Sequence, residues 1–401
     1  MIETVTFGCR LNISESERMQ RMAAAAGLTD AVIVNTCAVT AEAERQAGQA
    51  IRRLKREKPQ ARIIVTGCAA QIDPEKYAAM REIDHLIDND EKLNPASFAK
   101  LSGQPATLEN SALPPPAEAA MQRAFIQIQN GCNHRCTFCI IPYGRGASRS
   151  LPSPEIAAQT KTRMAEGFNE IVLTGVDIAS YGRDLPDTPS LGAMIRNLLA
   201  AVPDLRRLRL SSLDPAAIDG DLWQLIADEP RLMPHLHLSL QAGDDMVLKR
   251  MKRRHSRDDV LRLCDRARNL RPDIVFGADI IAGFPTESDA MFENTYNLVE
   301  QCGLTWLHVF PYSARKGTPA AKMPQTHGSL RKERAERLRA FGESAARRHY
   351  EALIGRKTEV LVEKNGIGCT PHFAKLKLRG DARVGEIVAA HCIGIEQAKV
   401  L

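Results

Sequence analysis

Three cysteines within a stretch of eight residues constrain this chain more than any other feature. They lie in the segment Gly-Cys-Asn-His-Arg-Cys-Thr-Phe-Cys-Ile, at Cys132, Cys136 and Cys139. Thiolates this close together converge on one metal centre, but a closed structural zinc site needs four ligands. His134 lies between the cysteines, too near along the loop to be an easy fourth ligand. A cubane [4Fe–4S] cluster fits better, because three thiolates hold three irons and leave one iron open for a small molecule.

These three cysteines, called the loop trio below, have the spacing C-x3-C-x2-C, with the aromatic Phe138 just before the last cysteine. This pattern resembles the radical S-adenosylmethionine (SAM) enzymes. In that superfamily the amino and carboxylate groups of SAM chelate the open iron, so the resemblance implies SAM as a cofactor. The alternative is a zinc-stabilised loop, which meets the ligand requirement of zinc poorly.

A second set of three cysteines, called the strand-end trio below, comprises Cys9, Cys37 and Cys68. They follow the runs Glu-Thr-Val-Thr-Phe-Gly, Ala-Val-Ile-Val-Asn-Thr and Arg-Ile-Ile-Val-Thr-Gly, whose apolar, β-branched character predicts buried strands. A helix-like stretch follows each cysteine, so the spacing is one β-α unit of ~30 residues. Ligands bind beyond the carboxyl ends of parallel strands, so we expect the trio to meet there and hold a second cluster. The alternative is three unrelated buried thiols.

Two such trios in this order, followed by a small C-terminal module, resemble the methylthiotransferases of the radical SAM superfamily. The resemblance extends over nearly the whole chain, through motifs at 8–12, 34–40, 66–68, 140–146, 171–177, 235–243 and 283–287. The run His-Val-Phe-Pro-Tyr-Ser-Ala-Arg-Lys-Gly-Thr-Pro-Ala at 308–320 resembles the subgroup that modifies threonylcarbamoyl-adenosine beside the tRNA anticodon, often called the MtaB type. Thr286 departs from the pattern, since many relatives carry a glycine there.

The resemblance implies a transferase that inserts a methylthio group at C2 of N6-threonylcarbamoyladenosine in tRNA. At a [4Fe–4S] cluster on the loop trio, SAM would be cleaved to the radical that removes hydrogen from the substrate. At an auxiliary [4Fe–4S] cluster on the strand-end trio, the methylthio group would form with a second SAM molecule. All six cysteines are therefore expected to be metal ligands and catalytic residues, and the electron donor and sulfur donor are not identified by the sequence.

Six further residues are candidates for SAM contact by the same resemblance. Phe138 would pack against SAM, Gly175 would admit its methionine moiety, Ser239 and Gln241 would face the ribose, and Gly283 and Pro285 would border the adenine. For each of these, strand-end packing or turn formation is an equal alternative. Two arginines after the loop trio, Arg145 and Arg149, are expected either to contact substrate or an anion, or to form structural salt bridges.

The composition is that of an ordinary globular protein, with 44% hydrophobic and 25% charged residues among 401. The length allows two or three domains. No apolar run reaches the eighteen residues of a membrane span, and the N-terminus lacks a secretory pattern, so we expect a cytoplasmic protein without membrane contact. Its cysteines cluster as ligands do rather than as disulfides. The remaining four are expected to be plain thiols: Cys264, Cys302, Cys369 and Cys392.

The net charge of +6 is modest, but basic residues are concentrated at 52–56, 249–255 and 331–357. Any one of these segments could be a solvated helix face. Three together favour a polyanionic partner such as tRNA, bound through its phosphates.

The order of predicted elements indicates an α/β protein of three parts. An open α/β domain at 1–110 is followed by a proline-rich linker at 111–120. Alternating strands and helices at 121–345 predict a partial (β/α)6 radical SAM barrel with its chemistry at the carboxyl ends of the strands. Residues 346–401 are expected to form the end of a basic helix and a small β module, which by family resemblance is a TRAM-like RNA-binding barrel.

Two alternatives of function stay open at this point. The same chemistry could act on isopentenyl-adenosine in tRNA or on an aspartate of a ribosomal protein. A non-catalytic iron–sulfur protein that binds RNA or senses redox state would explain the cysteines, but it would not explain the strand motifs that resemble SAM sites.

Overall fold

The computed structural model describes residues 2–103 and 122–401, so the predicted proline-rich linker lies outside the described residues. The chain divides into two compact units, each made from separate stretches of sequence. The first unit comprises Met1–Ala119, Asn130–Ser148 and Ser313–Thr318, and the second comprises Ala120–Gln129, Arg149–Tyr312 and Pro319–Leu401. Both cysteine trios belong to the first unit, because the loop trio lies within Asn130–Ser148.

The first unit contains a parallel four-stranded sheet in the order β1-β2-β3-β4. Its strands are β1 Ile2–Thr6, β2 Ala31–Thr36, β3 Arg62–Gly67 and β4 His85–Leu86. Its helices are α1 Arg10–Ala25, α2 Ala41–Glu57, α3 Cys68–Ile72, α4 Pro74–Ala78, α5 Pro95–Ser102 and α6 Ile141–Arg145. The three predicted strand-then-helix repeats are confirmed by these elements.

The sequence explains where the helices of the first unit begin. The Thr40 side chain caps α2 by accepting a hydrogen bond from the Ala43 amide at 3.1 Å. The third repeat holds two short helices, α3 and α4, where the sequence predicted one helix-like stretch after Cys68. Asp73 separates them, because its side chain caps α4 and Pro74 can start a helix but cannot continue one.

The second unit contains six parallel strands in two sheets, ordered β5-β8-β9 and β10-β11-β12. These strands are β5 Ala124–Gln127, β8 Glu170–Thr174, β9 Arg207–Leu210, β10 His235–Gln241, β11 Val275–Ala282 and β12 Leu304–Pro311. An isolated parallel bridge between Leu213 and Leu238 connects the two sheets. Two short strands, β6 Gln129–Asn130 and β7 Arg149–Ser150, lie at the borders of the loop-trio segment. The predicted partial barrel of six strands is confirmed.

Helices follow the strands of the second unit in the alternation that the sequence indicated. They are α7 Ser153–Ala165, α8 Leu191–Ala201, α9 Gly220–Asp228, α10 Asp245–Met251, α11 Arg257–Leu270, α12 Asp289–Gln301 and α13 Gly328–Leu353. Helix α11 begins at Arg257, because a capping box fixes its start. In it the Ser256 side chain and the Asp259 carboxylate each bond the other residue's amide.

The C-terminal residues of the second unit form a closed five-stranded barrel in the order β13-β14-β15-β17-β16. Its strands are β13 Lys357–Glu363, β14 Ile367–Cys369, β15 Lys375–Arg379, β16 Ile387–Gly394 and β17 Gln397–Val400. The predicted small β module is therefore confirmed. Strands β14 and β17 were not predicted, because three or four residues are too few to show a periodic pattern.

This C-terminal barrel packs against the amino ends of the six parallel strands. The Phe373 ring stacks on His235, the first residue of β10, with ring centroids 5.0 Å apart. Arg209 of β9 donates to the carbonyl oxygens of Pro371 and Thr370 at 2.8 and 2.7 Å. The amino end of the partial barrel is thus closed by the 370–373 loop, and its carboxyl end carries the candidate SAM residues.

Two of the predicted basic segments form ion pairs within the second unit that the sequence did not show. In α13, Arg334 is buried and pairs with Glu287 at 2.8 Å and Asp289 at 2.5 Å. In the 249–255 segment, Arg253 and Arg254 both lie 2.9 Å from a carboxylate oxygen of Asp214. The charges of these three arginines are therefore neutralised within the second unit.

Among the described residues, no helix combines the length and the apolar character that crossing a bilayer would require.

Candidate functional site

The strand-end trio lies along one edge of the parallel sheet of the first unit. Cys9 is the N-cap of α1, Cys37 directly follows β2, and Cys68 directly follows β3. Because β1, β2 and β3 are neighbouring parallel strands, their carboxyl ends share this edge. Cys37 and Cys68 are buried, whereas Cys9 is exposed as a residue. Burial nevertheless raises the pKa of the Cys9 thiol.

The three thiols of this trio influence one another electrostatically. Burial raises the pKa of Cys37 to about 12, and the negative charges of Cys9 and Cys68 contribute in the same direction. The Val39 amide, 3.5 Å from the Cys37 sulfur, acts in the opposite direction. The Cys37 thiol alone therefore stays protonated at neutral pH, and a bound cationic centre would hold it as a thiolate. This donor set fits an iron–sulfur cluster.

Two glycines permit the close approach of the chain at this edge. Gly8 has φ +94° and Gly67 has φ +101°, both in the left-handed region that favours glycine. A Cβ atom on Gly8 would overlap the side chain of Cys37, and one on Gly67 would overlap the backbone of Thr36. Each glycine directly precedes a cysteine of the trio, so the motif Gly-Cys has a steric basis at both places.

Arg145 is buried against the strand-end trio, with 3% of its surface exposed. Its Nε donates to the Cys68 sulfur at 3.2 Å, the kind of N–H contact that a sulfur ligand of a cluster accepts. Its two terminal nitrogens donate to the Glu15 carboxylate at 2.7 and 2.9 Å and to Asn12 Oδ1 at 2.6 Å. Of the two roles expected for Arg145, the structure therefore shows the structural salt bridge. Arg149 is exposed and lies in the second unit.

Glu15 joins Arg145 to a second buried cation. Lys92 donates to Glu15 at 2.6 Å and to Asn89 Oδ1 at 2.8 Å, and the side chains of Lys92 and Glu15 are at most 1% exposed. Burial alone would raise the pKa of Glu15, but the charges of Lys92 and Arg145 lower it to about 2. The Asn89 amide also donates to the Gly144 carbonyl, next to Arg145. These residues link the sheet to the segment that carries the loop trio.

The sequence did not predict that Glu15, Asn89 and Lys92 belong to this site. A signal was present for Glu15, which lies four residues after Leu11 and four before Met19 on the buried stripe of α1. A carboxylate in an apolar stripe needs a buried partner. No comparable pattern marks Lys92, whose burial depends on tertiary packing.

The loop trio is held by backbone hydrogen bonds at its start and within its last turn. The Cys132 amide donates to the Gly146 carbonyl at 3.1 Å, and the Cys139 amide donates to the Cys136 carbonyl at 3.1 Å. Gly131 has φ +69°, and a Cβ atom there would overlap the Ala147 carbonyl. All three cysteines are partly exposed. The loop therefore presents its thiols to solvent from a fixed base.

Five of the six SAM candidates lie in the second unit at the carboxyl ends of parallel strands, and the sixth, Phe138, lies in the first unit. Gly175 follows β8, and a Cβ there would come within 2.7 Å of the Gln129 carbonyl oxygen. The pairing of β10 is irregular between Leu238 and Gln241, where Gln241 has φ +71°. The regular alternation of side chains, by which Ser239 and Gln241 were expected to share one face of β10, is therefore interrupted.

The remaining candidates, Gly283 and Pro285, are buried in the turn after β11. Gly283 has φ +72°, and a Cβ there would overlap the Arg331 side chain of α13. Thr286, at the position where many relatives have glycine, has φ +67°. The left-handed backbone at this position explains why a glycine would suit it.

Two family models match the chain. The radical SAM superfamily matches residues 126–299, and the uncharacterized protein family UPF0004 matches residues 1–88. The second match contains the strand-end trio, and the first contains the loop trio.

Curated relatives match the chain over nearly its full length. It is 50% identical to the threonylcarbamoyladenosine tRNA methylthiotransferase MtaB of Rickettsia prowazekii, over 98% of this chain and 95% of the relative. A protein of the same name from Bacillus subtilis is 31% identical, over 96% and 91%. The tRNA-2-methylthio-N(6)-dimethylallyladenosine synthase of Novosphingobium aromaticivorans is 35% identical, over 97% and 94%.

Among solved structures, the radical SAM methyltransferase TsrM from Kitasatospora setae matches with a TM-score of 0.52 at 15% identity. The match covers 78% of this chain and 68% of that chain. At this identity the likeness concerns the fold alone.

Proposed function

Because the chain belongs to the methylthiotransferases of the radical SAM superfamily, we propose that it inserts a methylthio group at C2 of N6-threonylcarbamoyladenosine next to the tRNA anticodon. Membership implies SAM and iron–sulfur chemistry. The observation that carries the choice of nucleoside is the 50% identity, over 98% of the chain, to a relative named for threonylcarbamoyladenosine. The dimethylallyladenosine synthase is more distant, at 35%.

Two [4Fe–4S] clusters are part of this proposal. The loop trio would hold the cluster that binds SAM, and the strand-end trio would hold an auxiliary cluster. When bound, the first cluster would supply the electron that cleaves SAM, and the second would hold the sulfur species that is methylated and transferred. The support is the chemistry of the donor sets, since each trio brings three thiols and leaves one iron without a protein ligand.

The roles of the protein side chains follow from their surroundings. Arg145 would stabilise the Cys68 thiolate through its Nε–H, while Glu15 holds the guanidinium in place. Phe138, Gly175, Ser239, Gln241, Gly283 and Pro285 stay predictions as SAM contacts. The division of the chain at 110, 120 and 345 is likewise part of the proposal.

The C-terminal barrel offers a surface for tRNA. Lys375, Lys377 and Arg379 alternate along β15 and are exposed, and Lys399 of the neighbouring β17 is in register with Arg379. The Lys375 amine lies 3.4 Å from Glu363, and the other three cations face solvent. Phosphate contacts by such residues make binding salt-dependent. A tRNA substrate also implies a cytoplasmic location and requires an electron donor and a sulfur donor.

Mass spectrometry of nucleosides tests the proposal. The reconstituted full chain is incubated anaerobically with SAM, a reductant and tRNA that carries threonylcarbamoyladenosine. A methylthio form of that nucleoside is the expected product. If 5′-deoxyadenosine forms without it, the substrate is wrong, and the same assay with isopentenyl-adenosine tRNA or the ribosomal protein follows.

The same experiment separates the enzyme from a non-catalytic iron–sulfur protein. A reduced preparation with both clusters verified by iron and sulfide analysis should cleave SAM. If it does not, the chain binds RNA or senses redox state without this chemistry.

A further inference from the structure

Three side chains from neighbouring strands of the second unit meet inside the partial barrel. They are His237 of β10, Asp279 of β11 and His308 of β12, called the lumen triad below. Asp279 Oδ1 lies 3.0 Å from His237 Nε2 and 3.2 Å from His308 Nδ1. The Ser212 hydroxyl lies 3.5 Å from Asp279 Oδ2. His237 lies two residues after His235 on the same face of β10, and the Phe373 ring of the loop that closes the barrel stacks on His235.

The carboxylate fixes which nitrogen of each imidazole carries a proton. Burial alone would raise the pKa of Asp279, but hydrogen bonds from His237 and His308 hold it well below its usual range. An ionised carboxylate only accepts hydrogen bonds, so the nitrogens that face it are the N–H donors. His308 Nε2 is then directed away from Asp279, and its side chain is 49% exposed. His237 is 5% exposed and forms the fixed end of the group.

The triad lies one layer above the floor of the lumen. Trp306, two residues before His308 on the same face of β12, donates its indole N–H to the His372 carbonyl of the C-terminal barrel at 3.0 Å. Toward the carboxyl ends, Ser239 lies two residues beyond His237 on β10. At about 3.3 Å per residue the triad is about 7 Å below that candidate SAM contact. A substituent that enters from the carboxyl ends of the strands would meet it.

We propose that the lumen triad binds the polar N6 substituent of the substrate nucleoside and thereby selects threonylcarbamoyl over dimethylallyl groups. This inference rests on the proposed function. The threonylcarbamoyl group carries a hydroxyl, a ureido group and a carboxylate. His308 Nε2 accepts from the hydroxyl or the ureido N–H when the imidazole is neutral, and it donates to the carboxylate when the imidazole is protonated.

A dimethylallyl group has no hydrogen-bond donor or acceptor that could pair with the lumen triad. Placed against the triad, it would remove water from the Asp279 carboxylate and from His308 without replacing it. Sites that hydrogen-bond a polar substrate group reject apolar analogues strongly, in favourable cases by about 10⁴-fold. Discrimination between the threonylcarbamoyl and dimethylallyl nucleosides is therefore expected to depend on the side chains of the lumen triad.

The same three residues could instead ligate a divalent metal, because their ligand atoms all lie within 4.8 Å of one another. In the structure, however, each imidazole nitrogen facing Asp279 is within hydrogen-bonding distance of its carboxylate. These contacts are satisfied without an ion, which favours the substrate site.

The test uses the reconstituted full chain and two anticodon stem-loop RNAs, one with threonylcarbamoyladenosine and one with isopentenyl-adenosine, competing in one reaction. The ratio of the two methylthio products gives the ratio of kcat/KM values. Wild type is expected to favour the threonylcarbamoyl RNA by about 100-fold or more. His308→Phe is expected to lower that ratio by about 10-fold or more, mainly through KM. His308→Asn, which keeps a donor at the position of Nδ1, should recover part of it.

His391→Phe on β16 is the matched control, a like change in the C-terminal barrel, and should leave the ratio unchanged. A ratio unmoved by His308→Phe, or an equal loss on both RNAs, overturns the inference. One equivalent of a non-iron metal in wild type that is lost in His308→Phe also overturns it. If wild type modifies neither RNA, the proposed function itself fails, which is a separate result. If His308→Phe does not fold, Ser212→Ala is tested in its place. A smaller decrease in the ratio of kcat/KM values is expected. A ratio equal to that of wild type would contradict the inference.

Discussion

The two cysteine trios of the first unit offer the same three thiols but are built in different ways. The loop trio is local, since eight consecutive residues carry all its thiols and backbone hydrogen bonds hold their base. The strand-end trio is assembled from residues 9 to 68 by three parallel strands, and it is backed by the buried Arg145, Glu15 and Lys92. The loop trio therefore depends on local geometry, whereas the strand-end trio depends on the fold and on buried charge.

Single cysteine replacements should separate the two trios most sharply. Cys136→Ala is expected to abolish SAM cleavage, because the SAM-binding iron–sulfur centre loses a ligand. Cys37→Ala is expected to spare cleavage and abolish methylthio insertion. Both are measured by quantifying 5′-deoxyadenosine and the modified nucleoside in one assay. Retained insertion by Cys37→Ala would contradict the assignment of two clusters.

Replacing Arg145 should damage the strand-end trio while leaving the thiols of both trios present. Arg145→Met removes the partner of Asn12, Glu15 and Cys68, and it is expected to lower the free energy of unfolding by about 3 kcal/mol. Urea unfolding of the metal-free protein measures this. The reduction potential of the auxiliary cluster, read by electron paramagnetic resonance, should also shift.

The control for that change is Arg52→Met, at an exposed arginine of α2 in the same unit. It is expected to change stability by no more than about 0.5 kcal/mol. Equal effects of the two replacements would show that the buried network has no special role.

Two glycine replacements address the backbone of each trio. Gly67→Ala should push against Thr36 and disturb the strand-end trio, and Gly131→Ala should push against Ala147 and disturb the loop trio. Each is expected to cost up to about 3 kcal/mol, because alanine is strained at these positive φ angles. Iron content and SAM cleavage should fall together in Gly131→Ala, whereas Gly67→Ala should keep cleavage and lose insertion. If Gly67→Ala lost SAM cleavage while Gly131→Ala kept it, the separate roles of the two trios would be refuted.

Acid should weaken the network behind the strand-end trio. The pKa of Glu15 is lowered from 4.5 to about 2, so its contribution to stability is complete above pH 4.5 and is lost as pH falls toward 2. By pH 3 the loss amounts to about 2 kcal/mol. Urea unfolding of the metal-free protein between pH 6 and pH 3 measures it. In Glu15→Gln, which is destabilised at all pH values, this part of the pH dependence should be absent.

The sequence predicted the trios and the order of elements because both have short-range signals. Strand runs before Cys9, Cys37 and Cys68 are apolar and β-branched, and parallel neighbours must share an edge. Lys92 had no such signal, because it is 77 residues from Glu15 and meets it only in the folded first unit. The lumen triad was also missed, because its members lie within strands and no repeated pattern relates them to one another. The short β14 and β17 carry too few residues to show a period.

Arg145 also has a consequence for synthesis on the ribosome. Residues 9, 37 and 68 emerge well before residue 145, so the sheet can pair its strands while Cys68 still lacks its guanidinium donor. Lys92 can already pair with Glu15 at that stage, so the Glu15 carboxylate is not left as an isolated buried charge before Arg145 arrives. The last contact is made only after the loop trio has been translated. A nascent chain thus completes the surroundings of the strand-end trio with the same segment that carries the loop trio.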